Sequence, residues 1–379
     1  MKFHRFASIS VAALAGALFV SQTAVAQEEL VFGNWTPPRE YQNAQVMPYV
    51  FEQIAKETNG KIKWKLIAGG QLADGKTTFS AIKDNLMQGG LAIATYVPNL
   101  VPSLGAIYTT VIIGHNDVVA ATGAALETFY LNCPSCLEEF RALNSVPLSG
   151  WTSSAYLLAC REPAKSLADL KGKRVRATGG NADYMRTAGM VPVGATLVEA
   201  VSLLQRGGID CQHGVADWMR TFGYADFAKH VIDYPLGLSG PAIGWMMNRD
   251  AWNKFTPEEK KIHMKYAAWM SAKIAIGYFL IATEESLQTI VKDKGVTLTK
   301  VNNQEFDAVG EAYKQQQRTT NIATAKGFGV KEPEKIIDTY ERLIDKKWRG
   351  LSKDIGRDID KFTDVLNREV FSKIDINKL

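Results

Sequence analysis

The chain has 379 residues, of which 46% are hydrophobic and 22% charged, with a formal net charge of +5. That balance excludes a disordered polar chain, and so small an excess of positive charge is not the footprint of a nucleic-acid binder. The length suits two ordinary domains.

Lys2 and Arg5 precede an apolar run over residues 9–20, which ends in Ala24, Val25 and Ala26 before Gln27. These are the three parts of a secretory signal, so residues 1–26 are expected to be removed and the mature chain to begin at Gln27. A membrane anchor is the alternative, but the run is shorter than the ~20 residues a spanning helix needs.

The next segment alternates strand and helix patterns. A strand is predicted over residues 30–35, a helix over about 41–58, and the strict alternation of residues 61–66 predicts a half-buried strand. A helix over 77–87 and an apolar strand over 91–96 follow. Such alternation implies a mostly parallel sheet covered by helices, with ligands at the carboxyl ends of the strands. Trp35 and Tyr96 are thereby placed near a cleft.

A helical pattern over residues 118–130 leads into Cys133-Pro134-Ser135-Cys136. With Cys160 and Cys211 this makes an even count in an exported chain, so disulfides are expected, Cys133 to Cys136 and Cys160 to Cys211. A redox motif is the alternative for the first pair, but the βαβ context it needs is missing. Haem attachment needs a histidine where Leu137 stands.

From about residue 153 to 237 the alternation repeats, with strands over 155–160, 173–178, 209–215 and 231–234. A strand over 242–248 is expected to return to the first lobe, and each crossing is a candidate hinge. One lobe thus takes residues 27–152 plus about 240–279, the other 153–239 plus about 280–330, and residues 331–379 form helices packing on them. Thr256-Pro257-Glu258-Glu259 opens a very long helical pattern over residues 257–294. Its apolar middle raises a membrane alternative, yet Lys273 and the charged flanks favour burial between the lobes, so the mature chain is not expected to span a membrane. The tail reads as two amphipathic helices, with Glu341 and Asp345 set against Lys346 and Arg349.

Nothing in the chain forms an enzymatic constellation. His115, His213, His230 and His263 show no metal-ligand spacing, the Gly237-Leu238-Ser239-Gly240 run is not a nucleophile elbow, and Gly179-Gly180 lacks the lysine of a phosphate loop. No cofactor or metal is expected.

The most informative residue is Arg176, on a short apolar strand that opens into Gly179-Gly180 and so aims a guanidinium into the cleft. Ahead of it lies Asp169-Leu170-Lys171-Gly172; behind it come Ala188-Gly189-Met190-Val191-Pro192, then Glu199 to Leu204, Gly207 and Asp210-Cys211-Gln212. In order and spacing this segment resembles the solute-binding proteins of tripartite ATP-independent periplasmic (TRAP) transporters, the DctP-like family. The resemblance implies an α/β, two-lobed periplasmic-binding-protein fold of type II-like kind with a long lobe-spanning helix. It also implies a periplasmic receptor that works with small and large membrane subunits, and an arginine at position 176 that clamps a ligand carboxylate. A planar fork of donors meets a carboxylate bidentately, which a lysine does not. The family's "DGQEN" here reads Asp210-Cys211-Gln212-His213-Gly214, so its asparagine is replaced by Gly214, and a second frequent arginine falls on Tyr156.

Trp35, Tyr96, Trp151, Tyr156, His213 and Trp218 join Arg176 as candidate ligand contacts, whereas Trp64, Trp245, Trp252 and Trp269 lie in periodic apolar patterns and read as core. One arginine and several rings suggest a small carboxylate with a cationic or apolar remainder: a zwitterion such as dimethylsulfoniopropionate, betaine or ectoine, or an aromatic acid. A C4-dicarboxylate or keto-acid receptor, an ABC-type binding protein and an exported enzyme or redox protein are the competing readings.

Overall fold

The computed structural model describes residues 28–379, so the expected leader over residues 1–26 lies outside them. Strands β1 (Glu28–Asn34), β2 (Ile62–Ala68), β3 (Gly89–Ala92) and β4 (Ser145–Trp151) come first and share one sheet. A second sheet takes β5 (Leu157–Cys160), β6 (Arg174–Arg176), β7 (Val191–Val193), β8 (Cys211–Gly214) and β9 (His230–Ile232). β10 (Ala242–Asn248) then returns to the first sheet and β11 (Thr297–Thr299) to the second. The orders are β2-β1-β3-β10-β4 and β11-β9-β5-β8-β6-β7, one sheet to each lobe of a two-lobed α/β fold.

In each sheet all strands but one run the same way, so the expectation of mostly parallel sheets holds, with β10 and β5 as the reversed strands. β1 runs parallel to β2 and β3, but β10 is antiparallel to β3 and β4, and β5 is antiparallel to β8 and β9. A strand that follows a helical crossover returns parallel; β5 and β10 instead enter from the other lobe, and each runs against its neighbours. The strand predicted over 91–96 is shorter: it ends at Ala92, and Tyr96 sits in a short 3₁₀ turn, Ala94–Tyr96.

The long helix runs from Pro257 to Lys294. Thr256 and Glu259 cap its start reciprocally, at 3.2 and 2.8 Å, and Gly295, with φ 63°, ends it. The Ser271 hydroxyl accepts from Gly150 N of β4 at 3.3 Å, and further along Ser286 donates to Asp217 in the other lobe at 2.7 Å. One helix therefore fastens to both lobes. Among the described residues it is the helix long and apolar enough to cross a membrane, but Ile274, Ala275, Ile276 and Tyr278 of its middle are buried against the lobes. The tail forms helices that bury Ile337, Tyr340, Trp348, Phe362 and Leu366. Trp269, expected in the core, is only half-buried and packs on the exposed Tyr49 at a ring separation of 4.6 Å.

Both disulfides are present. Cys133–Cys136 closes the first turn of helix Pro134–Ala142, with both cysteines buried and so shielded from partner thiols. Cys160–Cys211 joins β5 to β8 at directly paired positions.

Candidate functional site

The two sheets present their carboxyl ends to a narrow cavity of about 60 Å³ between the lobes. From the first lobe, β1 ends in Asn34, whose side chain accepts from Thr36 N at 3.1 Å and donates to Asn43 at 2.8 Å. That network folds the following loop back so that Trp35 lies over β3, its indole donating to Leu91 O at 3.0 Å. Tyr96 meets Trp35 edge-on at 5.7 Å.

From the second lobe comes Arg176, 4% exposed at the end of β6. Its Nε donates to Ala195 O at 2.8 Å and its Nη2 to the Tyr96 hydroxyl at 3.1 Å, which also accepts from Leu197 N at 3.3 Å. Burial works against its charge, the phenols of Tyr96, Tyr224, Tyr156 and Tyr108 work for it, and the balance holds its pKa above the ordinary arginine value. Among the described residues no carboxylate pairs with it. A buried cation without a counter-ion is costly, and the uncommitted face of this fork opens on the cavity.

The remaining walls are rings. Tyr156 touches Trp218 at 5.3 Å, and Trp151 closes the side formed by β4 and β10. Two glycines make room for them. A Cβ at Gly244 would come within 1.6 Å of the Trp151 ring, and one at Gly214 within 2.4 Å of the Trp218 ring. The glycine that replaces the asparagine of "DGQEN" therefore leaves its space to an indole.

Six of the seven candidate contacts, Arg176, Trp35, Tyr96, Trp151, Tyr156 and Trp218, line this one cavity. The seventh, His213, does not; its ring meets Tyr156 edge-on at 5.0 Å, one layer back. Burial, and then Arg176, hold its pKa down to about 3, so it is neutral. Sequence reasoning missed Glu40, Gln42, Tyr108, Asn181 and Tyr278, all in the lining. Glu40 is a buried carboxyl whose pKa is pushed up to about 8, first by burial and then by Asp217. A lone acid in a loop and a tyrosine inside a long helix carry no periodic signal that could have found them.

Across the cleft mouth Lys76 pairs with Glu199 at 2.6 Å, Arg39 donates to Thr221 O at 2.7 Å, and Thr95 meets Thr178 at 3.3 Å. With the Arg176–Tyr96 bond these contacts hold the two lobes together over the cavity.

Residues 32–321 match the sequence profile of the bacterial extracellular solute-binding proteins, family 7. A monocarboxylate 2-oxoacid-binding periplasmic protein of Nostoc sp. is 26% identical over 231 residues, a match spanning 56% of this chain and 58% of the relative's length. Among solved structures, a marine metagenome TRAP solute-binding protein specific for aromatic acid ligands, in complex with 3-hydroxybenzoate, superimposes with a TM-score of 0.72 at 22% identity. That superposition covers 84% of this chain and 98% of the other. A TRAP solute-binding protein from Rhodoferax ferrireducens, in complex with copurified benzoate, gives a TM-score of 0.73 at 15% identity, covering 86% and 100%. At these identities the structural likeness speaks for the fold alone.

Proposed function

Because the chain belongs to the bacterial extracellular solute-binding proteins of family 7, the DctP-like receptors of TRAP transporters, we propose that it captures a small monocarboxylate between its lobes in the periplasm and delivers it to small and large membrane subunits. The observation that carries this reading is Arg176: a buried, ionised guanidinium, without a carboxylate partner among the described residues, whose free face opens on a ring-walled cavity. A ligand carboxylate supplies the missing counter-ion in bidentate geometry.

Arg176 is the one arginine or lysine among the described residues of the cavity lining. A C4-dicarboxylate would leave its second carboxylate among rings and near the acid Glu40, so the monocarboxylate is favoured over the dicarboxylate. The ring walls suit a compact apolar or cationic body, by stacking or by cation–π attraction. The receptors for aromatic acids and for 2-oxoacids that resemble this chain bind ligands of the same carboxylate kind. The site is read as one of capture and release, without turnover.

A thermal-shift screen tests this, because a ligand that binds only the folded state raises its stability by mass action. Benzoate, pentanoate and 5-aminopentanoate form the monocarboxylate set, and succinate stands for the dicarboxylates. At least one monocarboxylate should raise the melting temperature and succinate should not; a shift with succinate alone would overturn the assignment.

A further inference from the structure

We propose that Glu40 and Gln42 form a second polar pole in the Arg176 cavity, and that the solute places there a cationic nitrogen bearing N–H donors. The solute is then a zwitterion whose carboxylate sits on Arg176. The inference deepens the receptor reading above and rests on it.

The first observation is Gln42, 1% exposed and in the cavity lining. Its Nε2 donates to Gly244 O at 2.9 Å. A backbone carbonyl only accepts, so this bond fixes which way the amide lies and leaves Oε1 as an acceptor. Oε1 is buried and has no donor among the described residues. A buried acceptor without a partner is costly, so the site is built for a donor that arrives with the ligand.

The second observation is Glu40, two residues away and in the same lining. Its Oε2 accepts from Gln42 N at 3.0 Å and lies 3.5 Å from the Thr36 hydroxyl. No cation pairs with it among the described residues. The groups packed around it are Asp217 on helix Ala216–Thr221 and Tyr278 on the long helix. Tyr278 donates to Asp217 at 2.9 Å, and Arg220 is engaged by Asp217 at 2.6 Å. The neighbouring Arg39 is committed to Thr221 O. Burial and Asp217 keep the Glu40 carboxyl protonated at neutral pH, so an arriving cation lets it ionise and its proton passes to solvent.

These two acceptors discriminate among possible groups. A hydroxyl can donate to Gln42 Oε1 but brings no charge to draw the proton from Glu40, and a quaternary ammonium has no proton to donate, which would leave Gln42 Oε1 bare. A primary or secondary ammonium, or an amidinium, brings both the charge for Glu40 and at least one N–H for Gln42. The rings of Trp218, Tyr278 and Phe279 in the same lining favour that charge.

The test uses two matched pairs of probes, pentanoate with 5-aminopentanoate and benzoate with 3-(aminomethyl)benzoate, titrated into the mature protein by calorimetry at pH 7 in phosphate and in Tris. In at least one pair the amine should bind ten-fold tighter or more, and release close to one proton, read from the difference between buffers. Glu40→Gln should weaken the amine at least ten times more than its plain partner and abolish the proton release; Gln42→Met, as a second variant, should also weaken the amine more. Equal affinities within both pairs, or amine binding without proton release and with both members equally affected by Glu40→Gln, would overturn the inference while leaving the carboxylate receptor standing. Binding of none of the four probes, or plain-acid binding that is indifferent to Arg176→Lys, would instead refute the carboxylate reading and the inference with it.

Discussion

Replacing Glu40 by glutamine should stabilise the unliganded protein, and by an amount that grows with pH. The carboxyl has a folded-state pKa of about 8 against an ordinary value of 4.5, because it is buried and faces Asp217. Below about pH 4.5 it is protonated folded or unfolded and costs nothing. Between 4.5 and 8 the unfolded chain ionises while the folded one holds its proton, so folding loses ~1.4 kcal/mol per pH unit. The stability present at low pH is lost as pH rises toward the folded pKa. At pH 7 the loss amounts to roughly 3 kcal/mol. Glutamine keeps an oxygen for the Gln42 N–H and has no charge to lose. Chemical unfolding of both proteins at pH 5 and pH 8 should therefore show nearly equal stability at the lower pH and a more stable variant at the higher. A stability difference that does not change with pH would mean that Glu40 ionises as freely in the folded protein as in the unfolded chain, contrary to its burial beside Asp217.

Other substitutions probe the frame around the site. Cys160 and Cys211 are 51 residues apart in sequence, so replacing both by alanine should lower the unfolding free energy by roughly 4 kcal/mol, measured by denaturant titration. Gly244→Ala puts a methyl into the Trp151 ring; the overpacking should cost about 1–3 kcal/mol in thermal unfolding and weaken carboxylate binding at least ten-fold. Gly214→Asn restores the residue of the resembling pattern but collides with Trp218, so intrinsic tryptophan fluorescence should change and ligand affinity should fall.

What the sequence made legible follows from local signals. The strands at Ala242–Asn248 and Ile62–Ala68 and the cap at Thr256 were visible because apolar runs, alternation and capping chemistry are local. β4 was not: Pro147 and Gly150 argue against a strand, and only its place at the sheet edge, with β10 as its one neighbour, tolerates them. Helix Asn303–Gly327 buries Phe306, Gly310, Tyr313, Gln317 and Asn321 at helical spacing, but three of those five carry no apolar side chain, so the period is masked. Gln317 is buried because it pairs with both backbone groups of Val111, at 3.2 and 3.1 Å, a partner 206 residues away. In the site, aromatic residues at strand ends and one arginine in a spaced motif were legible, whereas Glu40 and Gln42 matter only because the fold turns them toward the same cavity as Arg176.

The role of Arg176 as the anchor of a ligand carboxylate is tested most directly by calorimetry on Arg176→Lys. The charge is kept and the fork is lost, so with the tightest-binding monocarboxylate of the screen the variant should bind at least ten-fold more weakly, while its circular dichroism remains that of the unmodified protein. Affinity equal to that of the unmodified protein, with the fold intact, would mean that Arg176 does not hold the ligand carboxylate.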